Sequence, residues 1–583
     1  MLLLSTFVLP IFMLIILLLV AFSIGRRILA LFKIELGQLE EFLISIALGA
    51  SFLIYFAILL GTFHMLYKEA YILLALAVIA LSTKQIRYFW HLIVSLGRNA
   101  KQRFKPNMAG LLLLAWIFFM LINSLAAFSP IMESDSLSYH LAFAKVYANN
   151  HQLVYQPTHI YTTMPQGMTM LYTISELFST PNLSSLIAYS FGIFASLAIY
   201  AMVKKYYSET AAFIASLLFF TSPAVIERLG QTMVDISLTY FFLLGVIVLL
   251  KYVDERNEHK RTALVILLSI LIGTAISVKL TGALAGGALF IGMALSWLLY
   301  RQKFNANKVK HILTFGLLTL LFISPWLVRG YIYTGNPVYP QAYEVFGGKY
   351  IDSSLTQLYA NYHGYIGLER NLLNALLVHW NITFNSRAFD STVGLTPFFL
   401  MALPLILFFY RNITDMRKWA IIFVVSTVIL IVLFWEQPAI RYMLPGIALL
   451  SASTAIIIDA IMRHNKLLKA ALFTLLIASL IFNAAMWYGF NAKNVRYFLT
   501  GETQGDYYDK LKNPSTYGAS SWINANTTPD SAVMLVNDPR GYFLDRKYII
   551  SSPYQSYIDY YGMNGTADLL KRLKELGVSY ILI

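Results

Sequence analysis

Two carboxylates and an imidazole stand close together in the segment 133–140: Glu133, Asp135 and His140. The segment follows the apolar run 111–128 and opens a polar stretch that lasts to about residue 182. Acids just outside a membrane helix are poor packing residues, but they can accept a proton from a reacting group. We predict that Asp135 is a catalytic base, with Glu133 as the second candidate. The same acids also suit an alternative role in capping and solvating a helix end.

The composition is that of a polytopic membrane protein. Of the 583 residues, 58% are hydrophobic and 13% are charged, against roughly 45–50% and about 25% in soluble domains. The chain has no cysteine, which excludes disulfides and thiol chemistry. Because each crossing takes about 20 apolar residues, we predict an all-α protein with about fourteen transmembrane helices, near 2–24, 40–62, 69–82, 109–128, 183–203, 208–222, 235–252, 262–278, 281–300, 311–329, 396–410, 418–435, 439–460 and 467–488.

The positive charges alternate along the chain. The net charge is +15, and 25 of the 44 Lys and Arg residues fall in short segments between apolar runs. This positive-inside pattern predicts that these segments are cytoplasmic. It also argues against a nucleic-acid partner and in favour of membrane lipids. The basic segments are 25–39, 83–108, 204–207, 251–261, 301–310, 411–418 and 461–469.

Three regions on the predicted exterior side are long: 129–182, 330–395 and 489–583. The last contains a strand-like run at 532–536 after the turn 528–530, a helical run at 567–576 that stops at Gly577, and a second strand-like run at 578–583. This order predicts a small exterior α/β domain. We therefore divide the chain into additional transmembrane helices with a cytoplasmic interfacial segment (1–108), a transmembrane catalytic core (109–488) and the C-terminal domain (489–583). The basic, aromatic stretch 84–105 suits either an interfacial helix or a solvated loop.

Four motifs follow in order on the predicted exterior side. They are the acidic segment 133–140 with the later turn 164–167, the acidic helix start 232–238, the stretch 325–340 with 346–348, and Arg441-Tyr442-Met443-Leu444-Pro445. Together they resemble the type C (GT-C) integral membrane glycosyltransferases, in the branch of protein O-mannosyltransferases and bacterial aminoarabinose transferases (glycosyltransferase family 39-like). Met164 stands where that branch has a lysine.

The resemblance implies the GT-C fold and an inverting transfer of a monosaccharide from a polyprenyl-phosphate donor. The acceptor would be a lipid, a glycan or a protein. The enzyme would lie in the bacterial inner (plasma) membrane, with its active site and C-terminal domain on the periplasmic or extracellular side. Asp135 would then be the general base of this reaction.

Expelling the donor phosphate requires positive charge beside it. Arg329 and Arg441 are our candidates, since a guanidinium can hold phosphate through two hydrogen bonds. For Lys279 we favour a role as a membrane anchor. Asp235 would bind the acceptor or pair with an arginine. Further substrate-binding candidates are Tyr442, His140, Gln166, Tyr339 and His363.

The sequence has no His-x-x-x-His or comparable metal-ligand spacing. We therefore do not favour a metal site and assign no cofactor, although metal-dependent branches of the superfamily leave a divalent ion open. Two other functions also fit a chain of this kind: a transporter or flippase for lipid or saccharide, and a polysaccharide polymerase or ligase.

Overall fold

The computed structural model describes residues 7–103, 107–510 and 516–583. Within these ranges, 11 helices are long and apolar enough to cross a membrane. The protein is therefore a mostly helical, multi-pass membrane protein, as its composition predicts. The 11 helices are Leu9–Ala30, Gln38–Thr62, Met108–Phe128, Pro181–Tyr206, Asp235–Asp254, Glu258–Val278, Gly282–Leu299, Ala306–Thr334, Met416–Glu436, Leu444–His464 and Lys466–Thr500.

Three of the fourteen predicted spans are too short. The predicted span 69–82 is the helix Lys68–Leu81, which bends by 84° into the next helix, and 208–222 is the helix Glu209–Phe220. The predicted span 396–410 is a series of short helical pieces. Helices of 12–14 residues reach only about 18–21 Å at 1.5 Å per residue, less than the roughly 30 Å of hydrocarbon. If the bent pair counts as one span, the described residues contain up to 12.

The opposite ends of the bundle differ in charge. Lysines of the basic segments form ion pairs at one end, including Lys205 with Glu40 at 2.8 Å and Lys418 with Asp254 at 2.7 Å. The helix Asp235–Asp254 carries Asp254 at this end and Asp235 at the other. The polar residues of the four sequence motifs therefore meet at the end away from the basic segments.

Shorter helices connect the spans. The amphipathic helix Thr83–Arg103 buries Phe89 and Leu92 and exposes Trp90. The 84° bend before this helix favours a position in the membrane interface, which stays a prediction. The other short helices are Ser136–His140 (a turn of π-helix), Leu141–Asn150, Ile160–Thr163, Gly167–Leu177, Pro223–Ile226, Tyr343–Phe346, Ser353–Gly364, Leu372–Leu376, Val378–Phe384, Ser386–Phe389, Phe398–Ala402, Leu403–Leu405, Ile406–Phe409 and Tyr410–Asn412.

The C-terminal region forms a small α/β unit, as predicted. Its described strands are β1 (Ala532–Val536), β2 (Lys547–Ser551) and β3 (Val578–Leu582), in the all-parallel order β2-β1-β3. Side chains alternate along β1, so that one face packs in a cluster with Ile523 and the other in a cluster with Leu573. Strand β2 was not predicted. The helices here are Gln504–Asp509, Tyr517–Asn526 and Thr566–Glu575.

The division of the chain at 108 and 488 stays a prediction. The helix Lys466–Thr500 continues unbroken through residue 488. Its 35 residues measure about 52 Å, so it extends beyond a hydrocarbon layer of roughly 30 Å and carries the chain into the C-terminal unit.

Candidate active site

A cavity of about 430 Å³ lies at the end of the bundle away from the basic segments. Asp135 lines this inner cavity together with other predicted site residues, namely His140, Gln166, Arg441 and Tyr442. An outer cavity of about 760 Å³ adjoins it. The two cavities share the lining residues Gln341, Tyr359, Glu436 and Gln437.

Asp135 and Arg441 form an ion pair in the inner cavity. Arg441 Nη1 donates to Asp135 Oδ2 at 2.8 Å, and Arg441 Nη2 donates to Tyr442 Oη at 3.2 Å. Burial raises the pKa of Asp135, but the Arg441 charge outweighs it, and the net pKa is lowered from the ordinary value. Asp135 is therefore ionised at neutral pH. Arg441 Nε is buried and has no hydrogen-bond partner among the described residues, which leaves one donor for a ligand.

Glu133 lies behind this pair and does not line the cavity. Its Oε2 accepts a hydrogen bond from the Ser136 backbone N–H at 3.1 Å. Burial, followed by repulsion from Asp135, raises the pKa of Glu133 to about 7. The two neighbouring acids thus have pKa values pushed apart, which is the pattern of an acid pair with two roles. Of the two, only Asp135 faces the space where a substrate would bind.

We expect Glu133→Gln to stabilise the protein at high pH. The pKa of Glu133 is about 7 in the folded protein against 4.5 ordinarily, so its contribution to stability is present below about pH 4.5 and is lost as the pH rises through about 7. Gln mimics the protonated acid. The midpoint of thermal unfolding in detergent should therefore match wild type at pH 4.5 and exceed it at pH 8, by about 1–3 °C.

Glu502→Gln is the control, because it should change stability at high pH in the opposite direction. Hydrogen bonds from Lys510 and Arg496 lower the pKa of Glu502, so this acid contributes stability at high pH that is lost on acidification. The Gln variant should unfold at a lower temperature than wild type at pH 8. A Glu133→Gln midpoint at or below that of wild type at pH 8 would contradict the raised pKa.

A second ion pair supplies another positive charge to the inner cavity. Lys279 Nζ lies 2.7 Å from Asp235 Oδ1. The same ammonium lies 3.9 Å from the centroid of the Tyr442 ring, and the Arg441 guanidinium carbon lies 5.1 Å from that centroid. Two cations therefore meet around one aromatic ring. Such a pair of fixed charges beside a cavity is suited to bind an anion.

The sequence interpretation missed Lys279, which it assigned to membrane anchoring. Lys279 directly follows the helix Glu258–Val278, a position that also suits a side chain reaching towards water. Asp235 begins another helix far away in the sequence. The sequence placed both residues at helix ends on the predicted exterior side, but their pairing depends on how the helices pack.

Arg329 does not line the inner cavity. It donates to the backbone carbonyl of Thr162 and, at 3.0 Å, to that of Val154. Its guanidinium also lies 5.5 Å from the ring centroid of Tyr333. The structure thus gives Arg329 a role in holding the segment that contains Val154 and Thr162, while its contact with substrate stays a prediction.

Gln166 and His140 both line the inner cavity, and hydrogen bonds fix the Gln166 side chain. Gln166 Oε1 accepts from Tyr147 Oη at 2.6 Å, and its Nε2 donates to the Tyr161 carbonyl at 2.9 Å. Burial lowers the pKa of His140 to about 4, so its imidazole is neutral at physiological pH. His140 Nε2 is buried without a partner among the described groups. A neutral imidazole of this kind can hydrogen-bond a substrate hydroxyl.

The other predicted site residues lie elsewhere. Tyr339 is 4% exposed and packs in a cluster with Ile160, Ile351 and Leu355. His363 is in the helix Ser353–Gly364, and its side chain falls outside the described residues. Across the described part of the chain, no group of three or more His, Cys, Asp or Glu residues has the arrangement of a metal site.

Residues 7–448 match a protein family described as a domain of unknown function (DUF8201). The chain belongs to this family. No curated protein matches the sequence. In this DUF8201 protein, the matched region includes every element that contributes to the inner cavity.

Two solved structures are similar to this DUF8201 protein. ArnT from Cupriavidus metallidurans bound to undecaprenyl phosphate gives a TM-score of 0.50 at 11% identity, over 80% of this chain and 88% of ArnT. The Archaeoglobus fulgidus oligosaccharyltransferase tethered with an acceptor peptide gives 0.51 at 13% identity, over 82% and 69%. At such identities the likeness concerns the fold. The DUF8201 protein thus has the GT-C fold, as its motifs predicted.

Proposed function

We propose that this protein is a membrane glycosyltransferase. It moves a monosaccharide from a polyprenyl-phosphate donor to a lipid, glycan or protein acceptor, with inversion, and Asp135 is its general base. The observation that carries the proposal is the inner cavity, where an ionised carboxylate pairs with Arg441 while Lys279 brings a second cation to the same space. The undecaprenyl phosphate bound to ArnT supports the class of donor.

The arrangement fits the charges of the reaction. The acceptor oxygen attacks the anomeric carbon and its proton passes to Asp135, while the bond from that carbon to the phosphate oxygen breaks. The electron pair leaves with the phosphate, whose developing charge Arg441 and Lys279 stabilise. Positive groups placed in advance around a leaving anion lower the barrier without reorganising at the moment of reaction.

Donor binding would also activate the base. The Arg441 charge holds the pKa of Asp135 low against the effect of burial, which makes the free carboxylate a weak base. A phosphate bound to Arg441 would neutralise part of that charge and leave burial to raise the pKa of Asp135. Asp135 is then most basic when the donor is in place.

The distribution of charge supports an exterior active site. The basic segments gather at the end of the bundle away from the inner cavity, as in the ion pair of Lys418 with Asp254. By the positive-inside rule that end is cytoplasmic. We therefore propose that the cavity and the C-terminal unit face the periplasm or the extracellular space of a bacterial inner (plasma) membrane.

The test is sugar transfer by the purified full-length chain in lipid nanodiscs. Defined radiolabelled polyprenyl-phosphate sugars are supplied with lipid, glycan and peptide acceptors, and both the labelled product and the released polyprenyl phosphate are measured. The proposal requires product and lipid phosphate to appear in equal amounts. Movement of saccharide or lipid across vesicles without a glycosyl product would instead identify a transporter, and transfer from an oligosaccharide donor alone would identify a polymerase or ligase.

We expect Lys279→Met to reduce transfer by roughly 100-fold. The substitution removes one of the two cations around Tyr442 and leaves Asp235, which is 2% exposed, without its partner. The double variant Lys279→Met with Asp235→Asn should recover thermal stability but not activity, because it removes the unpaired charge without restoring the cation.

Lys418→Met is the matched control. Lys418 also pairs with an aspartate at 2.7 Å, Asp254, but at the other end of the bundle. The Lys418→Met variant should alter the stability of the protein but leave the transfer rate of the folded protein unchanged. If the double variant regained wild-type transfer, Lys279 would have only a structural role.

A further inference from the structure

The C-terminal unit contacts the same exterior loop that carries Asp135. The backbone N–H of Tyr542 donates to the Leu137 carbonyl at 3.2 Å. Leu137 lies in the turn of π-helix Ser136–His140 that directly follows Asp135. The C-terminal unit thus binds the backbone just after the proposed base.

Contacts on the other side of Asp135 complete the attachment. Tyr508 Oη donates to the Ile131 carbonyl at 2.7 Å. Tyr507 Oη lies 2.9 Å from the sulfur of Met132 and donates to Asn494 Oδ1 at 2.7 Å. Tyr507 and Tyr508 are both buried, so these phenols have fixed positions. The backbone is therefore held both before and after the proposed base.

Lys145 fastens the junction from the loop side. It lies in the helix Leu141–Asn150, which continues from the π-helical turn. Its ammonium donates to the carbonyls of Tyr542 at 2.9 Å and Leu544 at 3.2 Å, and to Asp545 Oδ1 at 2.7 Å. All three ammonium protons therefore go to the C-terminal unit.

The Tyr542 side chain adds a fourth point of contact. Its Oη donates to Glu176 Oε1 at 3.2 Å, and Glu176 is in the helix Gly167–Leu177. This helix follows the turn 164–166 that lines the inner cavity. The residues around Tyr542 therefore connect two walls of the site.

We propose that the C-terminal unit positions the catalytic base, with Lys145 and Tyr508 as positioning residues. This inference rests on the proposed function, because it assigns the unit to the geometry of Asp135. Reacting groups must be held within a fraction of an ångström, and a misplacement of about 1 Å can cost 100-fold in rate. A loop with an irregular π-helical turn gains that precision from hydrogen bonds outside itself.

The test compares Lys145→Met and Tyr508→Phe with wild type in the full-length chain. Hydrogen exchange of peptides spanning 131–141 is followed by mass spectrometry, and transfer kinetics are measured in parallel. We expect at least 10-fold faster exchange in this segment. We also expect kcat to fall by roughly 10- to 100-fold, with little change in KM for the donor. Lys145→Arg, which keeps the charge and the donors, should restore most of the rate.

Lys547→Met is the control, since Lys547 is an exposed lysine in β2 of the same unit, and it should change neither measurement. Faster exchange with an unchanged kcat in both variants would overturn the positioning role, and so would unchanged exchange in both. If Lys145→Met fails to fold, Tyr508→Phe decides by the same criteria. If wild type itself transfers no sugar, the proposed function fails, whereas the exchange measurements still decide whether the unit holds the segment.

Discussion

Asp135→Asn is expected to lower the rate of sugar transfer by roughly 100- to 10,000-fold, the usual contribution of a general base. The amide keeps the size of the side chain and one oxygen to accept the Arg441 hydrogen bond, but it cannot take up the acceptor proton. The initial rate of labelled product formation, at saturating donor and acceptor, measures the effect.

The pH dependence of the transfer rate shows whether Asp135 is a base or only the ion-pair partner of Arg441. The pKa of Asp135 is lowered, so the wild-type carboxylate stays ionised well into the acidic range. The residual rate of Asp135→Asn should rise with pH, because solvent hydroxide must then remove the proton. The wild-type kcat/KM, which reports the free enzyme, should not show this rise.

Asp459→Asn provides the control for Asp135→Asn. Asp459 also pairs with an arginine, Arg463 at 2.6 Å, at the basic end of the bundle. The Asp459→Asn variant should keep a transfer rate near that of wild type when folded. Near-normal transfer by Asp135→Asn would remove Asp135 from the role of base.

Arg441→Gln is expected to lower the rate by roughly 100- to 1,000-fold, as for the loss of one fixed donor to a developing anion. Arg441 contacts Asp135 and Tyr442 through two nitrogens and keeps the buried Nε free of partners among the described residues. Arg441→Lys should be intermediate, since an ammonium restores the charge but not the planar set of donors.

Arg441→Gln should also shift the pH dependence of the transfer rate. Without Arg441, burial of Asp135 is no longer opposed by its strongest neighbouring charge, and the pKa of Asp135 rises. The rate of Arg441→Gln should therefore fall at mildly acidic pH, where the wild-type rate is still constant. This shift is measured from kcat/KM between about pH 5 and 8, because kcat/KM reports the free enzyme.

Arg463→Gln is the matched control, because Arg463 lies in the last turn of the helix Leu444–His464, and Arg441 lies just before the first turn of that helix. It should leave both the rate and the pH profile unchanged. An Arg441→Gln variant that kept the wild-type rate would rule out phosphate stabilisation by Arg441.

The sequence by itself determined the class of protein and most of its long helices. Apolar runs of about 20 residues have few alternatives to spanning helices, since every backbone polar group must be satisfied within lipid. The strand Ala532–Val536 and the helix Thr566–Glu575 were also evident, because turn residues and a Gly stop bound them. Gly577 has a φ of +72°, a conformation for which Gly is favoured.

The sequence alone could not show that some apolar helices are too short to cross the membrane. Lys68–Leu81 and Glu209–Phe220 are as apolar as some of the candidate spans, and the pieces around 396–410 are also apolar. Hydropathy measures composition, but a bend or a break depends on the partners against which a helix packs. This is why three of the predicted spans are absent from the 11 in the described chain.

The candidate site shows the same division. Asp135 and Arg441 were chosen from local motifs, because an acid or an arginine beside an apolar run is costly unless it has a use. Their 2.8 Å pairing joins residues 306 positions apart.

Only the tertiary structure brought Lys279 to Asp235, turned Arg329 towards backbone carbonyls, and set the C-terminal unit against the loop of Asp135. The physical reason is that a sequence motif specifies which groups can react, whereas the packing of distant helix ends decides which of these groups lie close enough to pair.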